Sequence, residues 1–225
     1  FGDWRLVLAV YSITSVLATV WLAATPIEES KPDRKPATFR SCFSLLKNRF
    51  VALMTLSIFL IVGAEVSMNT NIANILIAKF DLVLEKAAIG ISVFFAGEMV
   101  ARLGGAIILN WIKPRSFLLL IAVISLLGVA GVLLAPTYSI AFVCIFIIGL
   151  GAGSMFPVIF SLALEKIPTR ANEISGLLIM AVSGGAFVPP LVGFVSTVIS
   201  PVASIGVIAC CLLYILWVSF YVRRN

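Results

Sequence analysis

The sequence is built from repeated apolar blocks of about 20 residues, and this feature decides most of what the chain can become. A helix needs about 20 apolar residues to cross ~30 Å of hydrocarbon. Seven blocks have that length, at roughly 4–24, 50–77, 87–110, 117–135, 139–163, 174–197 and 202–221. Inside lipid the backbone must satisfy its own N–H and C=O groups, which leaves helices or closed barrels. A barrel would read as alternating segments of ~10 residues, and none occur. The expected fold is all-α, a polytopic bundle of membrane-spanning helices. Composition agrees: 61% of the 225 residues are hydrophobic and 12% charged, against roughly half and a quarter in soluble domains.

The net charge of +6 would suit a nucleic-acid binder, so its placement decides. Lys31, Arg34, Lys35, Arg40, Lys47 and Arg49 lie between the first two blocks. Lys113, Arg115, Lys166, Arg170, Arg223 and Arg224 fall on the same side, and only Arg5, Lys79 and Lys86 on the other. Positive charge marks the cytoplasmic side, so the excess is topological and no nucleic-acid partner is expected. The chain is expected to begin outside, end inside, and sit in the cell's inner (plasma) membrane. Of the four cysteines only Cys42 lies outside an apolar block, and there is no histidine. No disulfide, metal site or cofactor is expected.

The first block lacks a signal-peptide cleavage site, and the chain opens on Phe1 rather than Met. It reads as a piece of a longer protein. The 25–49 connection is the one long one. "PIEESKPDRKPATFR" has the prolines and mixed charge of a solvated linker; "SCFSLLKNRF" suits a short amphipathic helix at the membrane surface. One helix, a long linker and six closely connected helices suggest parts of two halves. A faint internal repeat, "FLIVGAEVSM" (59–68) with "FIIGLGAGSM" (146–155), spaces matching spans three apart and oppositely directed. That is the geometry of an inverted repeat within a transporter half.

One carboxylate stands out. Glu65 is the sole charge between Phe50 and Ala78, at a depth where an ionised group costs roughly 3 kcal/mol. A water-filled cavity, a cation partner or a bound proton must offset that cost; the bland alternative is a structural hydrogen bond. Asn69 follows on the same helix face, while Ser67, Thr70, Asn71 and Asn74 point mostly the other way. A straight helix cannot aim both sets into one cavity, so a bend or unwound turn is expected near Gly63–Asn71. Amides beside a carboxylate suit a polyhydroxylated ligand. Glu98 and Arg102, spaced i, i+4 in the favourable order, read as a structural ion pair. "RLGGA", "GLGAGS" and "VSGGAF" supply small residues for close helix contacts, and Pro157 and Pro189–Pro190 should kink their helices.

"GSMFPVIFSLALEKI" (153–167) and "ISGLLIMAVSGGAFVPPLVGFVS" (174–196) resemble the tenth and eleventh helices of fucose permease-like sugar:proton symporters of the major facilitator superfamily. "VGAEV" resembles the seventh helix of the family's glucose/galactose branch, and "ARLGG" places Arg102 on the family arginine. The resemblance covers about residues 50–222. It implies that 1–24 is the last helix of an amino-terminal half, 25–49 the central cytoplasmic loop, 50–222 a six-helix carboxy-terminal bundle and 223–225 a cytoplasmic tail. Fucose permeases tend to carry aromatic residues at Asn69 and Asn71, and Gln-Tyr at Met155–Phe156, so the fold transfers better than the sugar.

The expected function is the carboxy-terminal half of a secondary transporter for a monosaccharide such as fucose, glucose or galactose. Glu65, Asn69, Asn71, Asn74 and Phe156 would contact the sugar. The resemblance implies proton coupling, with the coupling carboxylates in an amino-terminal half this chain lacks. The alternatives are an exporter of a small amphiphilic solute and a transport-fold sugar sensor. A membrane enzyme would need a nucleophile, base or metal cluster at the membrane face, and the chain offers none.

Overall fold

Apolar blocks become helices because in lipid each residue can hydrogen-bond only along its own segment. The computed structural model describes residues 4–26 and 38–224. Residues 1–36 and 37–225 form two compact units. The first contains α1 (Trp4–Ala24), whose Ser12, Thr14, Ser15 and Thr19 hydroxyls turn back onto carbonyls of the preceding turn at 2.8–3.0 Å. The self-bonding lets a polar side chain sit in an apolar span at little cost. Of the central loop, residues 27–37, which hold Lys31, Arg34 and Lys35, lie outside the described residues.

The second unit begins with α2 (Phe39–Ser44), which continues as a 3₁₀ turn over Leu45–Lys47. This is the amphipathic segment expected from "SCFSLLKNRF". It starts with a capping box between Thr38 and Ser41, and it buries Cys42 and Leu45. Arg170 ties it to the bundle, donating through Nη2 to the Ser41 carbonyl at 3.0 Å while its guanidinium pairs with Glu173.

The remaining helices are α3 (Arg49–Phe80), α4 (Leu84–Ile108), α5 (Pro114–Leu134), α6 (Tyr138–Ala152), α7 (Met155–Lys166), α8 (Ala171–Ala181), α9 (Gly184–Val198) and α10 (Ile205–Arg224). Pairs α6–α7 and α8–α9 each make up one membrane-length span, so with α1 the described residues hold seven. Their ends agree with the sequence blocks to within a few residues. Asp81 ends α3 in the left-handed region, at φ 53°. Lys79 then caps a neighbour, donating to the Val132 carbonyl at 2.6 Å and to that of Leu133 at the end of α5. A cation suits the negative end of a helix dipole.

Lipid tails are as apolar as leucine, so close packing holds such helices together. Two crossings show how close. A Cβ on Gly184 would stand 1.8 Å from the Phe59 carbonyl oxygen, joining α9 to α3. A Cβ on Gly149 would stand 2.2 Å from the Phe94 oxygen, and one on Gly97 2.4 Å from the Phe146 oxygen, joining α4 to α6. These contacts fix the helices that carry the charged residues.

The expected bend in the Glu65 helix does not occur: α3 runs unbroken for 32 residues. Its mid-span polar groups bond along their own helix, Ser67 Oγ to the Gly63 carbonyl at 2.6 Å and Thr70 Oγ1 to that of Val66 at 3.0 Å. No backbone partner is lost, so nothing forces a break. The breaks fall at Gly153–Ser154, between α6 and α7, and at Val182–Ser183, between α8 and α9. The first has a visible cause. Pro157 has no N–H to bond the carbonyl four residues back, and that carbonyl belongs to Gly153. The second copy of the faint repeat is thus the broken one, and the first is continuous.

Candidate functional site

The break organises the site. With Pro157 unable to donate, Arg102 of α4 reaches across and gives Nε to the Gly153 carbonyl at 3.3 Å. Its Nη2 meets Glu98 Oε2 at 3.0 Å. Ser154 Oγ bonds the Ala101 carbonyl of α4 at 2.7 Å. Gly153 lies against the backbone of Glu98, where a Cβ would come within 2.8 Å of its Cα. The ion pair expected at Glu98 and Arg102 therefore exists, and it does more than neutralise two charges. It supplies the donor that the proline removed and locks α4 to the break. Glu98 is 5% exposed, whereas the Arg102 side chain is 62% exposed, so the pair has a dry end and an open end. The open end lines a cavity of about 200 Å³ between α4 and α7, with Ser154, Pro157 and Ser161 on its wall.

Glu65 is half-buried on α3. Among the described residues nothing donates a hydrogen bond to its carboxylate. Ala64, Met68, Phe94, Ile208 and Leu212 share with it a void of about 10 Å³, room for about one water. A carboxylate with two lone-pair-rich oxygens and no protein donor has its binding capacity free.

The other expected site residues divide. Asn69 is half-buried, one turn on from Glu65 along the same stripe. Phe156 is half-buried just past the break, its ring stacked on Phe160 at 5.8 Å. Asn74 is exposed. Asn71 is turned inward, 7% exposed, and its amide nitrogen donates to the Ser67 carbonyl at 3.0 Å and to Thr70 Oγ1 at 3.1 Å. Two features escaped the sequence reading: the freed carbonyl of Gly153 and the stack of Phe59 on Phe187 at 6.0 Å. The proline four residues after Gly153 was a usable signal for the first; nothing in the sequence pairs the two rings. All four cysteines are free thiols, and no group of three metal-ligating side chains occurs among the described residues.

A bundle of lipid-length helices, two of them broken, with charged groups gathered at a break, defines a polytopic membrane protein of the transporter class. The sequence profile of the Major Facilitator Superfamily matches residues 1–190, and the chain belongs to that family. A glucose/galactose transporter of Brucella abortus is 33% identical over 189 residues, covering 80% of this chain and 43% of its own length. A Helicobacter pylori protein, provisionally named for the same two sugars, is 30% identical over 219 residues, covering 93% and 51%. The chain spans about half the length of the curated relatives it matches. Among solved structures, the Major Facilitator Superfamily transporter FucP in its outward conformation superposes with a TM-score of 0.80 at 18% identity, over 96% of this chain and 53% of that one. Its relatives are transporters and not enzymes.

Proposed function

We propose that this chain forms the carboxy-terminal half of a monosaccharide transporter of the inner membrane, working by alternating access with proton coupling. Residues 1–24 would be the last helix of the amino-terminal half, 25–49 the central loop, 50–222 the moving bundle and 223–225 the tail. The observation that carries the reading is the donor-free carboxylate of Glu65 on the same bundle as a freed carbonyl capped by an exposed arginine. Such a set offers acceptors and a cationic donor to sugar hydroxyls at mid-membrane depth. Glu65, Asn69, Asn74 and Phe156 would contact the sugar, with Asn71 contributing through its amide oxygen. The names of the relatives favour glucose and galactose, and FucP, a fucose:proton symporter, favours fucose. The proton's own carboxylates are assigned to the amino-terminal half.

Uptake of labelled galactose into vesicles, with glucose and fucose as competitors, tests this reading. The chain joined to an amino-terminal half should take up sugar saturably; the 225 residues alone should give none, because nothing opposes the bundle. Saturable uptake by the 225 residues alone would defeat the two-half assignment. Sugar binding without uptake by the joined protein would turn the reading to a sensor.

Topology is tested separately. Cysteines replacing Asp33, which lies outside the described residues, and Asp81, in the exposed turn after α3, should label from opposite sides. Labelling of both from outside would contradict the charge-based orientation.

A further inference from the structure

At the end of the bundle that carries most of its basic residues, α3 and α5 begin and α7 and α10 end. Between them lies another cavity, this one polar, of about 180 Å³, lined by Phe50, Arg115, Leu162, Glu165 and Lys166. It shares no residue with the site beside Arg102. Phe50 and Leu162 are buried and form its floor; Arg115, Glu165 and Lys166 are exposed at its mouth. Among the described residues the ion pairs are Arg102–Glu98 and Arg170–Glu173, so neither cation of this cavity is held by a carboxylate. Arg115 is placed by a 3.4 Å bond from Nη1 to the Val222 carbonyl, and Lys166 by the Phe50 ring, 5.3 Å from its centroid. Each contact leaves most donors of its cation free. Arg49 lies over the Tyr221 ring nearby, at 5.3 Å.

We infer that this cavity holds the headgroup phosphodiester of an anionic phospholipid, with Arg115 and Lys166 donating to its oxygens. Charge selects the class of phosphate. Two cations against one carboxylate leave a single positive charge, which a monoanionic phosphodiester neutralises and a dianionic free phosphate overshoots. Glu165 accepts hydroxyl donors, which a phosphoglycerol headgroup carries and a quaternary ammonium lacks. The buried floor of Phe50 and Leu162 suits the glycerol and the first acyl carbons. Helix ends with basic and aromatic side chains are where headgroups lie.

Native mass spectrometry of the full chain in detergent, titrated with phosphatidylglycerol, phosphatidylcholine of equal chain length or inorganic phosphate, tests the assignment. Phosphatidylglycerol should bind about tenfold or more tightly than either competitor. Each cation removed should weaken it about fivefold, so Arg115→Gln with Lys166→Gln should cost ~25-fold. Lys113→Gln, which removes a cation outside the cavity, should leave the affinity unchanged. Glu165→Gln should favour the dianionic phosphate relative to the unmodified chain. Should the double variant fail to fold, Lys166→Gln alone and the salt dependence of binding serve in its place. Equal binding of phosphatidylglycerol and phosphatidylcholine, equal binding of free phosphate, or an unchanged affinity in the Lys166 variant would overturn the proposal.

Discussion

Gly184→Ala is expected to unfold or misassemble the bundle, whereas Gly193→Ala, nine residues along the same helix, is expected to be neutral or slightly stabilising. The added carbon at 184 would meet backbone on the facing helix: the carbonyl oxygen of Phe59 at 1.8 Å, its carbon at 2.6 Å and its Cα at 2.9 Å. No rotamer relieves a clash with main chain, so α9 must move away from α3. Gly63 leaves no room for a simple slide, since a Cβ there would stand 2.3 Å from the Val188 side chain and 2.9 Å from the Gly184 carbonyl oxygen. Overpacking in a close-packed interior costs about 1–3 kcal/mol and more where nothing can yield, so ~3 kcal/mol or more is expected at 184. At Gly193 an added carbon has nothing within 4 Å, and alanine's better helix propensity should return up to ~1 kcal/mol. Thermal unfolding of the two variants in the same detergent gives the comparison. A melting temperature for Gly184→Ala within a degree of the unmodified chain would mean that α3 and α9 do not cross as described.

The glycine clusters show how far the sequence could be read. "VSGGAF" announces a close helix contact, and the contact is there. Which helix it meets is a tertiary fact that no local pattern carries. The seven spans were legible because lipid imposes one length and one backbone solution on them all. The position of the breaks was only half legible. Five polar residues from Ser67 to Asn74 suggested that α3 should open, yet Ser67, Thr70 and Asn71 found acceptors in their own helix, Asn74 stayed at the surface and Asn69 is only half-buried. A proline removes a donor outright, and Pro157 did open its span, one turn upstream. The Glu98–Arg102 pair was legible from i, i+4 spacing. Its role at the Gly153 carbonyl was not, because that role joins residues 51 apart in sequence. Asn71 is a similar case. Its residue type suggests a ligand contact, but that its amide nitrogen bonds the Ser67 carbonyl one turn back was not legible.

Glu65→Gln, in the chain joined to its amino-terminal half, should keep the bundle folded and impair transport. The substitution preserves shape and one acceptor oxygen and removes the charge and the titration. Glutamine also brings an N–H₂ group, which the open stripe shared with Asn69 can hydrate. The folded state should lose little, since among the described residues no donor depends on the carboxylate. If Glu65 binds a sugar hydroxyl, a charge-assisted bond becomes a neutral one, worth on the order of 1–2 kcal/mol. That is about a five- to thirtyfold loss of affinity, seen equally in uptake and counterflow. If Glu65 instead takes part in proton coupling, sugar exchange across the membrane survives while accumulation against a gradient fails. Glu65→Ala should be worse under either role, because it removes both acceptors. A structural role predicts a third pattern: a lower melting temperature with normal transport per folded molecule. That pattern already has a physical argument against it, since a structural carboxylate needs donors and Glu65 has none among the described residues. Uptake, counterflow and melting temperature measured on the one glutamine variant separate the three roles. Normal uptake and normal counterflow would remove Glu65 from the transport pathway, and with it the reading of a charge kept inside the membrane for the substrate's sake.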